Sequence, residues 1–203
     1  MAGGISAYLG ESAALIERAR AEGLDTRVER AVERIAAALG AKKPLLVCGN
    51  GGSASDAMHI AGELVARFLV ERPGLKAIAL GANTASLTAW SNDYDYPSAY
   101  AREVEAYGEP GGVVWGISTS GNSKNVIGAL ERGRALGMFT IAMTGAGGGK
   151  LAPLADVLLD VPSRATPRIQ EVHICLYHFI CQEVEARVAA ALVKARAGEK
   201  VRP

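Results

Sequence analysis

The chain has 203 residues, 49% of them hydrophobic, and its 22 Lys and Arg residues nearly balance 21 Asp and Glu residues, giving a formal charge of +1. This length allows one domain with a substantial core. The balanced charge, without a long run of one sign, argues against a nucleic-acid partner. No stretch approaches the ~20 apolar residues of a membrane span, and charged residues interrupt the signal-peptide pattern at the N-terminus. We therefore expect a soluble protein with neither nucleic acid nor membrane as a partner.

The three cysteines are odd in number and lack short-range pairing. They are Cys48, Cys175 and Cys181. On a helix, Cys175 and Cys181 would point to different sides, which disfavours a bond between them. This usage favours reduced thiols and predicts a cytoplasmic location.

The first forty residues have the pattern of two helices. The second is expected to open with a capping box, Thr26-x-x-Glu29, and repeats apolar residues on one face until Gly40. We expect residues 1–40 to be a helical N-terminal extension of a single domain, 1–203, whose α/β core spans residues 44–195.

Short apolar runs then alternate with helix-compatible stretches. The five runs are 45–48, 77–80, 113–117, 139–143 and 157–159, and the helical stretches are 54–70, 123–137 and 168–195. Continuous apolar runs are typical of strands that are buried on both faces. The sequence predicts an α/β fold, a three-layer αβα sandwich with a five-stranded parallel sheet. Ligands of such folds bind at the carboxyl ends of the strands.

A glycine-rich loop, Gly49-Asn50-Gly51-Gly52-Ser53, follows the first run and leads into a helix. Glycines allow close approach of a ligand, and a helix N-terminus favours an anion. A tight turn with Ser53 as the helix cap is the simpler alternative. Dinucleotide binding is disfavoured, because the second run ends in Leu80-Gly81-Ala82-Asn83 and lacks the acidic residue that contacts a ribose.

Hydroxyl groups are concentrated after the third run, again before a predicted helix. The segment is Ser118-Thr119-Ser120-Gly121-Asn122-Ser123. A capping turn would use one hydroxyl and leave three without a role, so we favour a cup of donors for a phosphate monoester. Neither loop continues into Gly-Lys-Ser/Thr, which argues against a P-loop nucleotide site. A small phosphorylated metabolite is the expected ligand, with no nucleotide cofactor.

All three histidines lie in two predicted helices. His59 and Glu63, at i and i+4, share one helical face and can address one ligand or metal ion, although a solvated carboxylate beside a packed imidazole is the common alternative. Gln170 and His178 lie about 80° and ~12 Å apart on an ideal helix, so they face one cleft but do not readily share one atom. His173 lies about 60° from Gln170 on the other side from His178, which is compatible with a core or interface position instead of a contact with substrate.

These segments together resemble the phosphoheptose isomerases, a branch of the sugar isomerase (SIS) domain family, over nearly the full length. The matching motifs are Gly49–Ala54, His59–Glu63, Asn92-Asp93, Ser118–Ser123 and Thr166–His173. The resemblance implies an SIS fold and a ketose–aldose isomerase that converts sedoheptulose 7-phosphate to D-glycero-D-manno-heptose 7-phosphate through an enediol. It also implies a cytoplasmic homotetramer with active sites at subunit interfaces.

The resemblance assigns roles to individual residues. Glu63 and His178 would be the catalytic acid/base pair. In zinc-bearing members one ion per subunit would be held by His59, Glu63, Gln170 and His178. The substrate would contact Asn50, Gly51, Gly52, Ser53, Glu63, Asn92, Asp93, Ser118, Thr119, Ser120, Ser123 and Gln170.

Ala165 departs from the family pattern, because many relatives place an Asp before the Thr of Thr-Pro-x-Ile-Gln. This puts one contact to the sugar hydroxyls in question and keeps another sugar phosphate open as the substrate. A non-catalytic SIS module that binds a sugar phosphate, or a protein such as the bacterial replication initiator, is the other alternative. The initiator-binding relatives carry other residue types at the positions of Glu63 and His178, so their presence here favours the enzyme.

Overall fold

Five parallel strands form one sheet in the order β2-β1-β3-β4-β5 in a computed structural model that describes residues 4–199. The strands are β1 Leu45–Cys48, β2 Ala77–Ala79, β3 Val113–Ser118, β4 Phe139–Thr144 and β5 Val157–Asp160. β1 and β3 pair over four residues and β3 and β4 over six, so the centre of the sheet lies at β3. The predicted three-layer α/β fold with N-terminal helices is confirmed.

Helices cover both faces of this sheet. They are α1 Ile5–Ala21, α2 Asp25–Gly40, α3 Gly52–Val65, α4 Thr84–Asp93, α5 Ala99–Tyr107, α6 Lys124–Ala135 and α7 Thr166–Glu199, with a 3-10 helix over Gly149–Leu154. No helix in the described part of the chain is both long and apolar enough to cross a bilayer.

Two apolar clusters form the core, one on each face of the sheet. Val47 and Trp115 point into the cluster shared with α1, α2, α3 and α7. Their neighbours Leu46 and Val114 point into the cluster shared with α5, α6 and the 3-10 helix. Because consecutive strand residues face opposite sides, both must be apolar when both faces are covered. This explains the continuous apolar runs of the sequence.

The structure differs from the predicted elements at three places. The predicted capping box at Thr26 is wrong, because α2 begins at Asp25 and Thr26 already lies inside the helix. The N-cap residue is Leu24, which makes no side-chain hydrogen bond. The helix predicted over 54–70 ends at Val65. The short helices α4 and α5 were not predicted. α4 has no buried residue, so no apolar repeat marks it in the sequence.

Helices α3 and α7 pack side by side and run in the same direction. Near their N-termini, the Gln170 side chain lies against Gly52. Further along, the Tyr177 hydroxyl meets His59, and Glu185 meets the backbone just beyond α3. This parallel pairing brings the two chemically distinctive helices of the sequence together along their length.

Candidate active site

A cavity of about 280 Å³ opens where β1 and β3 end and where α3 and α7 begin. Its lining is formed by Asn50, Gly52, Ser53, Ile117, Ser118, Thr119, Ser120, Ser123, Thr166 and Gln170. The cavity therefore combines the two loops identified in the sequence with the first turn of α7. It lies at the carboxyl edge of the sheet, the expected position of a ligand in a parallel α/β fold.

The hydroxyls of the second loop bond to one another rather than to the helix that follows. The Ser118 and Ser123 oxygens are 2.9 Å apart, and Ser120 Oγ accepts a bond of 3.2 Å from the Asn122 amide. Ser123 is the N-cap residue of α6 but makes no side-chain cap bond. A simple capping turn therefore does not account for this cluster. Hydroxyls beside a helix N-terminus form a surface suited to a phosphate.

The first loop owes its shape to two glycines. Gly51, at φ 57° and ψ −122°, is the N-cap residue of α3 in a region of backbone space that is essentially restricted to glycine. A Cβ at Gly52 would collide with the Gln170 carboxamide. Ser53 does not cap α3, because the N-cap position belongs to Gly51 and carries no side-chain bond.

Asn50 is held in place from two sides. Its carboxamide exchanges hydrogen bonds of 2.9 and 2.8 Å with Asn125, and its oxygen accepts a bond of 2.6 Å from the Tyr96 hydroxyl. Asn125 is 2% exposed, so its orientation is set by the protein interior. This network fixes the direction in which Asn50 faces the cavity.

A second cluster lies further along α3 and α7, where three potential metal ligands converge. His59 Nε2 is 2.9 Å from Glu63 Oε1 and 3.5 Å from His178 Nε2. The ligand atoms of all three residues lie within 4.8 Å of one another. We call His59, Glu63 and His178 the His/Glu cluster. The structure thus joins the i, i+4 pair of the sequence to a histidine more than a hundred residues away.

A buried tyrosine and a half-buried aspartate, Tyr177 and Asp56, lie next to the His/Glu cluster. The Tyr177 hydroxyl is 2.9 Å from His59 Nδ1, and burial raises the pKa of Tyr177. Burial also raises the pKa of Asp56, while the neighbouring His59 and the Tyr177 hydroxyl act in the opposite direction. The Phe68 ring also stacks on the His178 ring of the cluster, with the two ring centroids 5.9 Å apart.

The donor set of the His/Glu cluster fits a zinc ion. Two imidazole nitrogens and one carboxylate oxygen are the ligand set of several catalytic zinc sites, which keep a further position open for water or substrate. The side chains of His59 and Glu63 are 41% and 21% exposed, so the cluster is accessible from outside the chain. The group is therefore a candidate metal site.

Other residues predicted for the site lie outside the His/Glu cluster. Gln170 lines the hydroxyl cavity near Gly52, and its role as a metal ligand stays a prediction. Asn92 and Asp93 are exposed at the end of α4, where the Asn92 amide donates to Asp93. His173 is fully buried and its Nε2 lies 3.1 Å from the Thr144 carbonyl oxygen, which is a core position.

Sequence reasoning missed four residues that shape the site. Thr166 lines the cavity, and its hydroxyl lies 3.3 Å from that of Thr119. The others are Tyr96, Asn125 and Tyr177. Thr166 lies within a matched motif and Asn125 two residues after one, so both could have been found there. The contacts of Tyr96 and Tyr177 join distant segments and carry no local signal.

Comparison with known proteins gives a consistent family assignment. The SIS domain model matches residues 7–145. A phosphoheptose isomerase of Crocosphaera subtropica is 53% identical over 163 residues, covering 80% of this chain and 83% of its own. The chain belongs to the phosphoheptose isomerases of the SIS domain family.

Further phosphoheptose isomerases extend this likeness to the three-dimensional structure. The protein of Helicobacter pylori strain P12 is 49% identical over 168 residues, covering 83% of this chain and 88% of its own. The structure of the phosphoheptose isomerase from Neisseria gonorrhoeae has a TM-score of 0.84 at 40% identity and covers 90% of this chain and 97% of its own. The predicted family is therefore confirmed across most of the chain.

Proposed function

We propose that the protein interconverts sedoheptulose 7-phosphate and D-glycero-D-manno-heptose 7-phosphate by acid/base proton transfer through an enediol. The observation that carries this proposal is the His/Glu cluster on two helices whose N-termini line a hydroxyl-rich cavity. A phosphate group needs the hydroxyls and helix N-termini, and a ketose–aldose isomerisation needs an acid and a base at the other end of the substrate. The names of the relatives support the choice of a heptose phosphate.

Glu63 and His178 are the proposed acid/base pair. The reaction moves a hydrogen between C1 and C2, so one group must take a carbon-bound proton while another gives or takes protons at the two oxygens. Carboxylate and imidazole are suited to these tasks, and their proximity to His59 Nε2 supports a shared ligand.

The phosphate is proposed to lie among Ser118, Thr119, Ser120 and Ser123, near Gly51, Gly52 and Ser53. Asn50 and Gln170 would then contact the sugar, since both line the same cavity. Thr166 joins this group because its hydroxyl lies beside that of Thr119. Hydroxyl and amide groups can donate to phosphate oxygens and exchange hydrogen bonds with sugar hydroxyls.

Zinc is the proposed metal, one ion per subunit, held by His59, Glu63 and His178, with Gln170 as the predicted fourth ligand. Bound zinc would act as a Lewis acid on the carbonyl oxygen of the substrate. The protein itself supplies convergent ligands on two packed helices and keeps them accessible at the surface.

The proposal includes a cytoplasmic homotetramer with active sites at subunit interfaces. The exposure of Asn92 and Asp93 supports this arrangement, because their proposed contact with substrate needs a neighbouring subunit or a substrate that reaches beyond the cavity. An isomerase for another sugar phosphate is the second candidate. It is favoured by Ala165, which is exposed next to the cavity residue Thr166 and lacks the carboxylate that the family resemblance predicts there for contact with the sugar hydroxyls.

Purified protein incubated in deuterium oxide with a panel of ketose phosphates tests the function directly. We expect NMR to detect an aldose phosphate from sedoheptulose 7-phosphate and solvent deuterium at C1 or C2. Metal analysis of the same sample is expected to give one zinc per subunit. Turnover of a different ketose phosphate alone would select the second candidate, and no exchange with any member would refute the isomerase.

The residue roles are tested by Glu63→Gln and His178→Asn, which keep side-chain size and change the acid/base chemistry. Each is expected to lower kcat by at least ~10²-fold, the usual contribution of a positioned acid or base. Glu17→Gln, on an exposed face of α1, is the matched control and should retain full activity. Wild-type activity in both site variants would disprove the proposed mechanism.

A further inference from the structure

The Tyr177 hydroxyl lies near both the His/Glu cluster and the half-buried carboxylate of Asp56. Tyr177 is 1% exposed, and its oxygen is 2.9 Å from His59 Nδ1. Burial raises the pKa of Tyr177, and the nearby Asp56 carboxylate, on α3 one turn before His59, adds to this shift. The Tyr177 ring packs edge-on against both His59 and His178, with centroids 5.3 and 4.9 Å apart.

Two directions of hydrogen bonding are compatible with these positions. In one, Tyr177 donates its proton to His59 Nδ1, and the ring proton of His59 is then on Nε2. In the other, His59 Nδ1–H donates to the Tyr177 oxygen, and Tyr177 donates to Asp56. Only the second leaves a lone pair on Nε2, the atom that faces Glu63 and His178.

Asp56 discriminates between the two directions. Its Oδ2 is buried and has no hydrogen-bond partner among the described residues. An ionised carboxylate can only accept, and a buried acceptor without a donor is costly. Tyr177 is the hydroxyl beside it, so donation from Tyr177 to Asp56 relieves this cost. The Tyr177 oxygen is then an acceptor for His59 Nδ1–H.

We propose that Tyr177, backed by Asp56, is a positioning residue that holds His59 with the unprotonated Nε2 directed at the metal site. The inference rests on the proposed function, because it requires zinc to bind at the His/Glu cluster. Metal-binding histidines commonly donate their other ring N–H to an oxygen, which fixes both the tautomer and the ring orientation. Here that oxygen comes from α7, next to His178, so one contact aligns ligands on two helices.

The test measures zinc affinity of the full-length, metal-stripped protein by competition with a chromogenic chelator. Tyr177→Phe keeps the buried ring and removes only the hydroxyl, and we expect its zinc affinity to fall about 10- to 100-fold. Asp56→Asn should also weaken binding, because an amide can donate to Tyr177 and allow the opposite tautomer of His59. Tyr107→Phe, at an exposed position of α5, is the matched control and should bind as the wild type does.

A second readout separates positioning from chemistry and from folding. With zinc in excess, Tyr177→Phe should regain most of the wild-type kcat, whereas His178→Asn should not. Thermal unfolding of the metal-free variants reports any general loss of stability, and Asp56→Asn carries the test if Tyr177→Phe does not fold.

The outcomes distinguish this inference from the proposed function. Equal zinc affinity of the wild type, Tyr177→Phe and Asp56→Asn overturns the positioning role and leaves the isomerase intact. Isomerisation by a wild type that binds no zinc overturns the metal site and this inference together. Tyr177-dependent zinc binding without isomerisation of any ketose phosphate supports the inference and refutes the function.

Discussion

The three histidines differ most clearly in their surroundings. His59 and His178 are partly exposed and belong to the His/Glu cluster. His173, only five residues before His178 on α7, is fully buried. Burial lowers the pKa of His173 to about 4, although the bond with the Thr144 carbonyl acts in the opposite direction. Helical geometry predicted different directions for His173 and His178, but only packing could show which one is in the core.

His173 should make the protein less stable in mild acid. Its pKa is lower in the folded than in the unfolded chain, so the unfolded chain binds the proton first and stability falls as pH drops from about 6.5 towards 4. The full loss is of the order of 3 kcal/mol. Urea denaturation of metal-free protein across this range measures it, and His173→Gln should show a smaller acid loss. Identical pH profiles would contradict the assignment.

Ala165 immediately precedes α7, and its carbonyl accepts the first helical bond, from the Ile169 amide at 3.0 Å. It therefore occupies the N-cap position, where Asp is preferred over Ala by about 1 kcal/mol. Ala165→Asp, the residue that the family resemblance predicts at this position, should raise the free energy of unfolding by about that amount in thermal or urea denaturation. The same variant should change KM among ketose phosphates more than kcat, because the added carboxylate lies beside Thr166. Unchanged KM for every sugar would exclude Ala165 as a specificity position.

At the scale of elements, the end of α3 depends on a buried ion pair. Arg72 and Glu185 are 3.1 Å apart, and both side chains are 1% exposed. Glu185 accepts bonds from the amides of Phe68, Leu69 and Val70, while Arg72 donates to the Glu63 carbonyl at 2.8 Å. The amides that would continue the helix are therefore held elsewhere. This explains why α3 ends at Val65 instead of continuing to residue 70.

Breaking this pair should destabilise the protein and reduce its activity. Glu185→Gln leaves Arg72 buried without a counter-charge, which typically costs about 3–5 kcal/mol. It also loosens the segment that carries Phe68 against His178, so kcat should fall. Urea denaturation and kinetics measure both effects, and Glu183→Gln, on the same helix, is the matched control. A loss of stability without any change in kcat would show that the segment does not influence His178.

The same ion pair also makes the stability of the protein depend on pH in the acid range. Burial by itself would raise the pKa of Glu185, but the three backbone amides and Arg72 outweigh it and lower the pKa. The contribution of Glu185 to stability is therefore present above the pKa of an unfolded glutamate and is lost as pH falls below it. This window lies below that of His173, so the two residues are separable in one pH titration of stability.

At the scale of the whole molecule, the sequence pattern predicted the strands and loops whose conformation depends on residues close to one another in the chain. The five strands were predictable because they are runs of mainly apolar residues, fully buried in β1, β3 and β4 and partly buried in the edge strands β2 and β5. The two loops were predictable because glycines and hydroxyls are concentrated beside helix starts. Contacts between distant segments were not predictable in this way. Tyr177 and His59 are separated by more than a hundred residues, and only the parallel packing of α3 and α7 brings their side chains together.

That parallel packing also separates the two halves of the site by a fixed length. Ser53, at the hydroxyl cavity, and His59, at the metal ligands, are six residues apart on α3, or about 9 Å along the axis. A sugar whose phosphate is bound in the cavity can present its carbonyl to Glu63 and His178 only if its carbon chain covers this distance. In sedoheptulose 7-phosphate seven bonds join the C2 carbonyl carbon to phosphorus, and because an extended chain of ~1.5 Å bonds advances only ~1.25 Å per bond, this span is about 9 Å. Triose and tetrose phosphates should therefore bind as competitive inhibitors without deuterium exchange, so that the rigid spacing of two helices selects substrates by chain length.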